Sequence, residues 1–296
     1  MHPTAPTLDH PPRDAATVVM LRDGAAGLEV LLMRRHTDSA VLGGAYVFPG
    51  GKVDPADSAR DLLARLDHPC AELHPLLGEP TQSADAAASF FVAAVREAFE
   101  ESGVLYASQA GQPLPTDQQH AAFDAMSGGQ SFADMLAGHQ LRLDTALLAP
   151  WSRWVTPRQP TMMNRRFDTR FFLAVVPHEQ EARVDDFEVT EARWLTPRAA
   201  IGQYLAREID MAAPQIVSLL HLGRYANAAE ALADARTRRP PLIEPASFEE
   251  DGARMVCYPG DPRHPVREPA FPAHVPTRLA WREKRFDAPR GLANYL

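Results

Sequence analysis

Apolar positions follow two rhythms along this chain. Short dense runs at residues 16–21, 28–33 and 45–48 have the length of strands. Asp23-Gly24 and Gly27 supply hairpin turn chemistry between the first two. Phe91, Val92, Val95 and Phe99 instead share one arc of a 3.6-residue wheel, which predicts an amphipathic helix starting at Ser83 or Asp85. Gly103 ends it, because glycine takes the left-handed conformation beyond a helix without steric cost. Residues 147–155 and 167–176 predict two more strands, and 185–195 a loop feeding a third. Thr196-Pro197 then caps a helix running to about Glu208, with further helices over 214–225 and 227–238.

Four segments interrupt this alternation. Residues 1–14, with Pro3, Pro6, Pro11 and Pro12, read as a disordered tail. Residues 58–66 have helical periodicity with Ser58 as N-cap, whereas 67–82, holding Pro69, Pro75, Gly78 and Pro80, read mainly as loop. Between 107 and 145, helices near 116–126 and 131–140, the second capped by Ser131, suggest a small helical cap. Residues 240–296 carry ten prolines and read as an irregular extension that wraps the domain or pairs two copies as a homodimer. The expected division is therefore a tail at 1–14, a domain at 15–212 with an insertion near 58–84, and an extension at 213–296.

Composition narrows the classes. A 45% hydrophobic and 23% charged chain is ordinary for a soluble globular protein. A net charge of -8 argues against a broad nucleic-acid footprint. Two cysteines, Cys70 and Cys257, offer neither a disulfide framework nor a zinc site and suit a reducing compartment. No apolar run approaches the ~20 residues that cross a bilayer, and the first residues lack the basic start and apolar core of a signal peptide. The expectation is a cytoplasmic protein with no membrane and no nucleic-acid partner.

The candidate chemistry sits on the helix. Glu97, Glu100 and Glu101 stand at i, i+3 and i+4, so three carboxylates share one face. Their mutual repulsion is relieved by a hard divalent cation with oxygen ligands, although a bare Glu-x-x-Glu-Glu also suits a solvated acidic face. Arg96 stands at i, i+4 from Glu100 and can hold it in a ligating rotamer. Upstream lies Phe48-Pro49-Gly50-Gly51-Lys52-Val53-Asp54-Pro55-Ala56-Asp57, where paired glycines let backbone approach a ligand. Arg34-Arg35-His36 form a compact positive cluster, readable as a strand end in water or as a phosphate contact. Arg153, Arg165, Arg166 and Arg170 could fork onto phosphates or pair with the plentiful acids. The chain has no Gly-x-Ser-x-Gly elbow, Gly-x-Gly-x-x-Gly fingerprint, Walker loop or His-Glu-x-x-His motif. A glycosidase-like carboxylate pair would leave the glycine spacing and Arg96 unexplained.

Together the two segments resemble the signature of the Nudix hydrolase superfamily: a Gly, five residues, an acid, a spacer, then Arg-Glu-apolar-x-Glu-Glu-x-Gly-apolar. Gly51 opens it, Asp57 takes the usual Glu position, and residues 96–104 match every specified position. The spacer, 58–95, is far longer than in the compact pattern, yet closing a longer loop costs only logarithmically more. An insertion of this kind resembles the coenzyme A and acyl-coenzyme A diphosphatases, as do Trp151-Ser152-Arg153-Trp154-Val155-Thr156-Pro157, 166–174 and Tyr258-Pro259-Gly260-Asp261. Another coenzyme A group carries Gly-Gln-Val before Phe-Pro-Gly-Gly, where this chain has Gly44-Ala45-Tyr46-Val47.

The resemblance implies an α/β/α sandwich with a mixed central sheet, a helical insertion and a C-terminal extension. It implies Mg²⁺ or Mn²⁺ held by Glu97, Glu100, Glu101 and the Gly50 carbonyl, and a small nucleotide-diphosphate substrate. Glu101, Glu188 and Glu191 are its candidate bases, and Asp57 braces the Gly-rich loop. Coenzyme A or an acyl ester is the expected substrate, with an ADP-ribose or NADH pyrophosphatase as the alternative enzyme. A catalytically silent nucleotide-binding module is the alternative of another class.

Overall fold

The computed structural model describes residues 7–39, 42–161, 165–178, 180–183 and 189–296. β1 (Arg13–Gly24) and β2 (Gly27–Arg35) form the expected hairpin, with Gly24 opposite Gly27. β1 starts inside the stretch read as a tail, and just before it the Leu8 amide donates to the Arg158 carbonyl. β3 (Tyr46–Val47) then pairs with β2, and β4 (Gly50–Lys52) lies antiparallel to the start of β1.

The insertion departs from its sequence reading. In place of one helix capped by Ser58, a 3-10 turn over Pro55–Ser58 gives way to a short α1 (Arg60–Leu63). Asp54 takes the cap instead, accepting from the Ala56 amide while Asp57 accepts from the Asp54 amide. Extended backbone at Ala59 then separates the two turns. Residues 67–82 are not mainly loop either, because α2 (Cys70–Leu77) forms there despite Pro75 inside it. Leu73 and Leu77, one turn apart, bury themselves in the cluster that also holds Phe90 and Phe91, and tertiary packing overrides the proline signal. α3 (Ala84–Ser102) follows, capped by the Ser83 hydroxyl and ended by Gly103 at φ 67°.

The cap region adds a three-stranded sheet of β5 (Ala107–Gln109), β6 (Gln112–Pro113) and a later β7 (Arg142–Leu143) to its two helices, α4 (Thr116–Ser127) and α5 (Phe132–Gly138). β8 (Ala149–Val155), β9 (Phe167–Val175) and β10 (Val189–Leu195) return to the main sheet, followed by α6 (Pro197–Leu205), α7 (Ala213–Leu222) and α8 (Ala228–Thr237). β11 (Leu242–Ile243) closes that sheet in the order β10-β2-β1-β9-β8-β11. β1 runs parallel to β9 and β11 parallel to β8, so the sheet is mixed. Alternation along β1 sends Val18 and Met20 to the α3 side and Val19 and Leu21 to the side of α6, α7 and α8. Both faces are covered, which makes the α/β/α sandwich. Among the described residues no helix is long and apolar enough to cross a membrane.

The C-terminal stretch is not irregular. β12 (Ala246–Glu250), β13 (Ala253–Cys257), β14 (Arg278–Arg282) and β15 (Arg285–Asp287) make a four-stranded antiparallel sheet. None of these strands contains a proline: Pro245 precedes β12, Pro259 to Pro276 fall in the β13–β14 connection, and Pro289 follows β15. Prolines there mark strand limits rather than loss of order. Val256, Leu279 and Phe286 join the same hydrophobic cluster as Trp154 and Phe171.

Candidate active site

Pairing of β4 with β1 sets Gly50 and Gly51 against the acidic end of α3. The Gly50 amide donates to Glu101 Oε2 at 2.8 Å. A side chain at Gly51 would put its Cβ 2.4 Å from Glu97 Oε2, and one at Gly50 would meet the Ala16 carbonyl at 2.5 Å. Close approach is thus to main chain at Gly50 and to the movable Glu97 carboxylate at Gly51.

Arg96 organises the acids. Its Nε and Nη2 donate to Asp57 Oδ1 and Oδ2 at 2.8 and 2.9 Å, Nη2 also to the Lys52 carbonyl, and Nη1 to Glu97 Oε1 and Glu100 Oε2 at 2.8 Å each. All five N–H groups of the guanidinium are used. Burial works against its charge, but the Asp57 hydrogen bond and the charges of Glu97, Asp57 and Glu100 outweigh it and raise the pKa above the usual arginine range. Asp57 is fully buried, and its short side chain still braces the loop by this fork.

Gly50, Arg96, Glu97, Glu100 and Glu101 line one cavity of about 1580 Å³. Arg35 and Arg165 line it too, with Arg35 Nη1 3.8 Å from Glu101 Oε1. Lys52, which sequence reasoning did not single out as a ligand contact, shares the same wall, as does His36 of the positive cluster. Lys52 directly follows Gly51, a signal that was there to use. The donors are all oxygens, a chemistry that suits a hard divalent ion. Among the described residues, however, no group of three or more such side chains already closes on one metal position. Arg96 engages Glu97 Oε1 and Glu100 Oε2, and the Gly50 amide engages Glu101 Oε2, one oxygen of each carboxylate.

Other candidates lie elsewhere. Glu191 accepts from the Tyr46 hydroxyl and pairs with Arg193, and it is not part of the cavity wall. Burial and then Glu191 push the Tyr46 phenol up to about 12. Arg34 is exposed and off the cavity, and Glu188 lies outside the described residues. Three of the arginines face acids of the protein itself. Arg153 forks onto Asp168 at 2.8 and 2.6 Å and reaches Glu79 at 2.8 Å. Arg170, 2% exposed, forks onto Glu79 at 2.9 and 2.6 Å and reaches Asp14 at 2.7 Å, over the Phe90 ring. Arg166 donates to the Thr156 carbonyl and to Glu244. Glu79 belongs to the insertion, so this ion cluster fastens the insertion to the sheet.

A mixed sheet between helical layers, with a glycine strand set against an Arg-Glu-rich helix, defines a Nudix fold. The chain belongs to the Nudix family: residues 12–222 match the NUDT19 Nudix domain. It is 30% identical over 239 residues to human acyl-coenzyme A diphosphatase NUDT19, covering 69% of this chain and 62% of that protein. The protein of the same name from Xenopus laevis is 27% identical over 238 residues, with the same coverage of 69% and 62%. The chain thus spans less than two thirds of the length of these relatives. The crystal structure of a NUDIX hydrolase from Alicyclobacillus acidocaldarius superposes with a TM-score of 0.60 at 31% identity, covering 78% of this chain and 98% of that one. The resemblance drawn from residues 51–57 and 96–104 is met in family and in fold.

Proposed function

We propose that this protein is a divalent-metal-dependent diphosphatase acting on coenzyme A or its acyl esters. The products are 4′-phosphopantetheine, or its acyl form, and adenosine 3′,5′-bisphosphate. One observation carries the reading: Glu97, Glu100, Glu101, Arg35 and Arg165 open onto a single large cavity beside the Gly50-Gly51 strand. The relatives named for acyl-coenzyme A diphosphatase activity support the choice of substrate.

Glu97, Glu100 and Glu101, with the Gly50 carbonyl, are the donors that would hold Mg²⁺ or Mn²⁺. Such an ion, when bound, screens the diphosphate and makes water more acidic near neutral pH. Arg35, Lys52 and Arg165 bind phosphate oxygens and compensate charge on the leaving phosphate. Glu101, 4% exposed and anchored at Oε2 by the Gly50 amide, takes the proton of the attacking water. The water oxygen joins one phosphorus as the bridging P–O bond breaks, and the departing phosphate leaves with the bridging oxygen. Arg96 positions Glu97 and Glu100 and does not itself touch the phosphates. The enzyme acts in the cytoplasm on a small molecule and needs neither nucleic acid nor membrane, nor the homodimer expected from the extension.

Hydrolysis of coenzyme A followed with and without Mg²⁺ or Mn²⁺, in wild type and in Glu100→Gln and Glu101→Gln, tests this. The expected result is metal-dependent turnover that falls about 100-fold or more in each variant. Turnover indifferent to a chelator, or near wild-type rates in both variants, would refute the assignment.

A further inference from the structure

The cavity beside the acidic helix is walled in part by residues beyond the matched Nudix domain. Phe48, two residues before Gly50, stands edge-on to Phe171 at 6.4 Å, and the Trp154 ring lies tilted 6.4 Å from Phe171. These three line the cavity together with Val256 of β13 and Phe286 of β15, and all five belong to one contiguous hydrophobic cluster. The domain match ends at residue 222, so Val256 and Phe286 come from the C-terminal sheet.

That part of the wall is fixed in place. The Tyr204 hydroxyl of α6 accepts from the Phe286 amide at 2.8 Å and donates to the Phe286 carbonyl at 3.0 Å. Arg285 stacks over the Tyr204 ring at 3.9 Å and pairs with Asp210. After β13, the fully buried Asp261 receives Arg278 Nε and Nη2 at 2.7 and 2.6 Å, which ties β14 to the turn that follows Val256 and Cys257. A wall held by main-chain and forked hydrogen bonds is pre-organised for its occupant.

Its chemistry names that occupant. The lining from this cluster is aromatic and aliphatic, suited to a hydrocarbon rather than a phosphate. The space is continuous with the Glu97–Glu101 wall, so the apolar group must be part of the diphosphate substrate. A volume of about 1580 Å³ also exceeds the roughly 300–1,000 Å³ of a typical small-molecule pocket, leaving room beyond a nucleotide. We propose that this lobe seats the acyl-thioester arm of the substrate, and that Val256 and Phe286 set the acyl-chain length accepted. The inference rests on the coenzyme A ester reading above and adds the place where the acyl group binds.

The test is kcat/KM for acetyl-, octanoyl- and palmitoyl-coenzyme A in wild type, Val256→Phe and Phe286→Leu. Val256→Phe narrows the lobe and should lower the octanoyl-to-acetyl ratio at least about tenfold, the scale of one or two methylenes in an apolar pocket. Phe286→Leu, a milder change that decides the matter should Val256→Phe not fold, should shift preference toward palmitoyl-coenzyme A. Ratios unchanged in the folded variants, or losses equal at every chain length as adenine binding in the lobe would give, overturn the proposal while leaving the coenzyme A reading intact. A wild type that hydrolyses ADP-ribose but no coenzyme A ester overturns both.

Discussion

Arg96 and Asp57, thirty-nine residues apart, meet in a two-pronged fork of 2.8 and 2.9 Å that joins the acidic helix to the end of the glycine loop. The long insertion leaves and returns between these two residues, so the fork closes the site across it. Removing Asp57 takes two charge-assisted hydrogen bonds from a mostly buried guanidinium, although Glu97 and Glu100 still offset its charge. Asp57→Ala should cost about 3–5 kcal/mol in urea unfolding and should lower activity by freeing Arg96 from its geometry. Loss of less than about 1 kcal/mol with normal turnover would show that the fork is incidental.

The two glycines predict phenotypes that differ in stability. At Gly51 an added Cβ collides with the Glu97 carboxylate, the end of a flexible side chain. Gly51→Ala should therefore fold nearly as well as wild type and lose about 100-fold in kcat/KM, because a candidate ligand is displaced. At Gly50 the collision is with the Ala16 carbonyl and Thr17 Cα, main-chain atoms of β1 at 2.5 and 2.6 Å. Gly50→Ala should lower the melting temperature by several degrees as well as activity. Melting and kinetics on the pair would contradict the geometry if both variants lost stability equally.

Glu79 ties the insertion to the sheet through Arg153 and Arg170. Glu79→Ala should destabilise the protein by about 3–5 kcal/mol, since Arg170 is almost completely buried. Hydrogen exchange should speed up first in α2, the helix on the Glu79 side of the insertion. Unchanged exchange there would mean that the insertion is held by its apolar contacts alone.

Acid sensitivity should trace to His221. Burial, followed by the charges of Arg238, Arg224 and His274, pushes its imidazole down from 6.5 to about 3. The unfolded chain therefore takes up this proton first as pH falls. Stability present above pH 6.5 is lost at about 1.4 kcal/mol per pH unit between there and about pH 3. His221→Phe suits the ring stack formed with Trp151 at 5.2 Å and removes the titration. Urea unfolding at pH 7 and pH 5 should show wild type losing about 2 kcal/mol more than the variant. Parallel losses would assign the acid limb to other groups.

The periodic segments were legible because burial and helical geometry leave a direct trace in the residues. Phe91, Val92, Val95 and Phe99 located α3, and Ser83 and Gly103 marked its ends. Pro75 and the ten C-terminal prolines both misled toward too little order. The first sits inside a helix held by Leu73 and Leu77, and the others sit between strands that contain none. At the site, Glu97, Glu100 and Glu101 were readable from spacing. The pairing of Arg153 and Arg170 with Glu79 was not, because contacts across seventy-four and ninety-one residues leave no local pattern. Val256 and Phe286 were hidden for the same reason, since only the tertiary fold brings them to the cavity.

The account stands most directly on which diphosphate is cleaved fastest. With Mg²⁺ or Mn²⁺ present, kcat/KM should be measured for coenzyme A, an acyl-coenzyme A, ADP-ribose and NADH, with products resolved by chromatography. The predicted result is preference for coenzyme A or its ester, with adenosine 3′,5′-bisphosphate as the nucleotide product. Faster turnover of ADP-ribose or NADH, with AMP released, would contradict it.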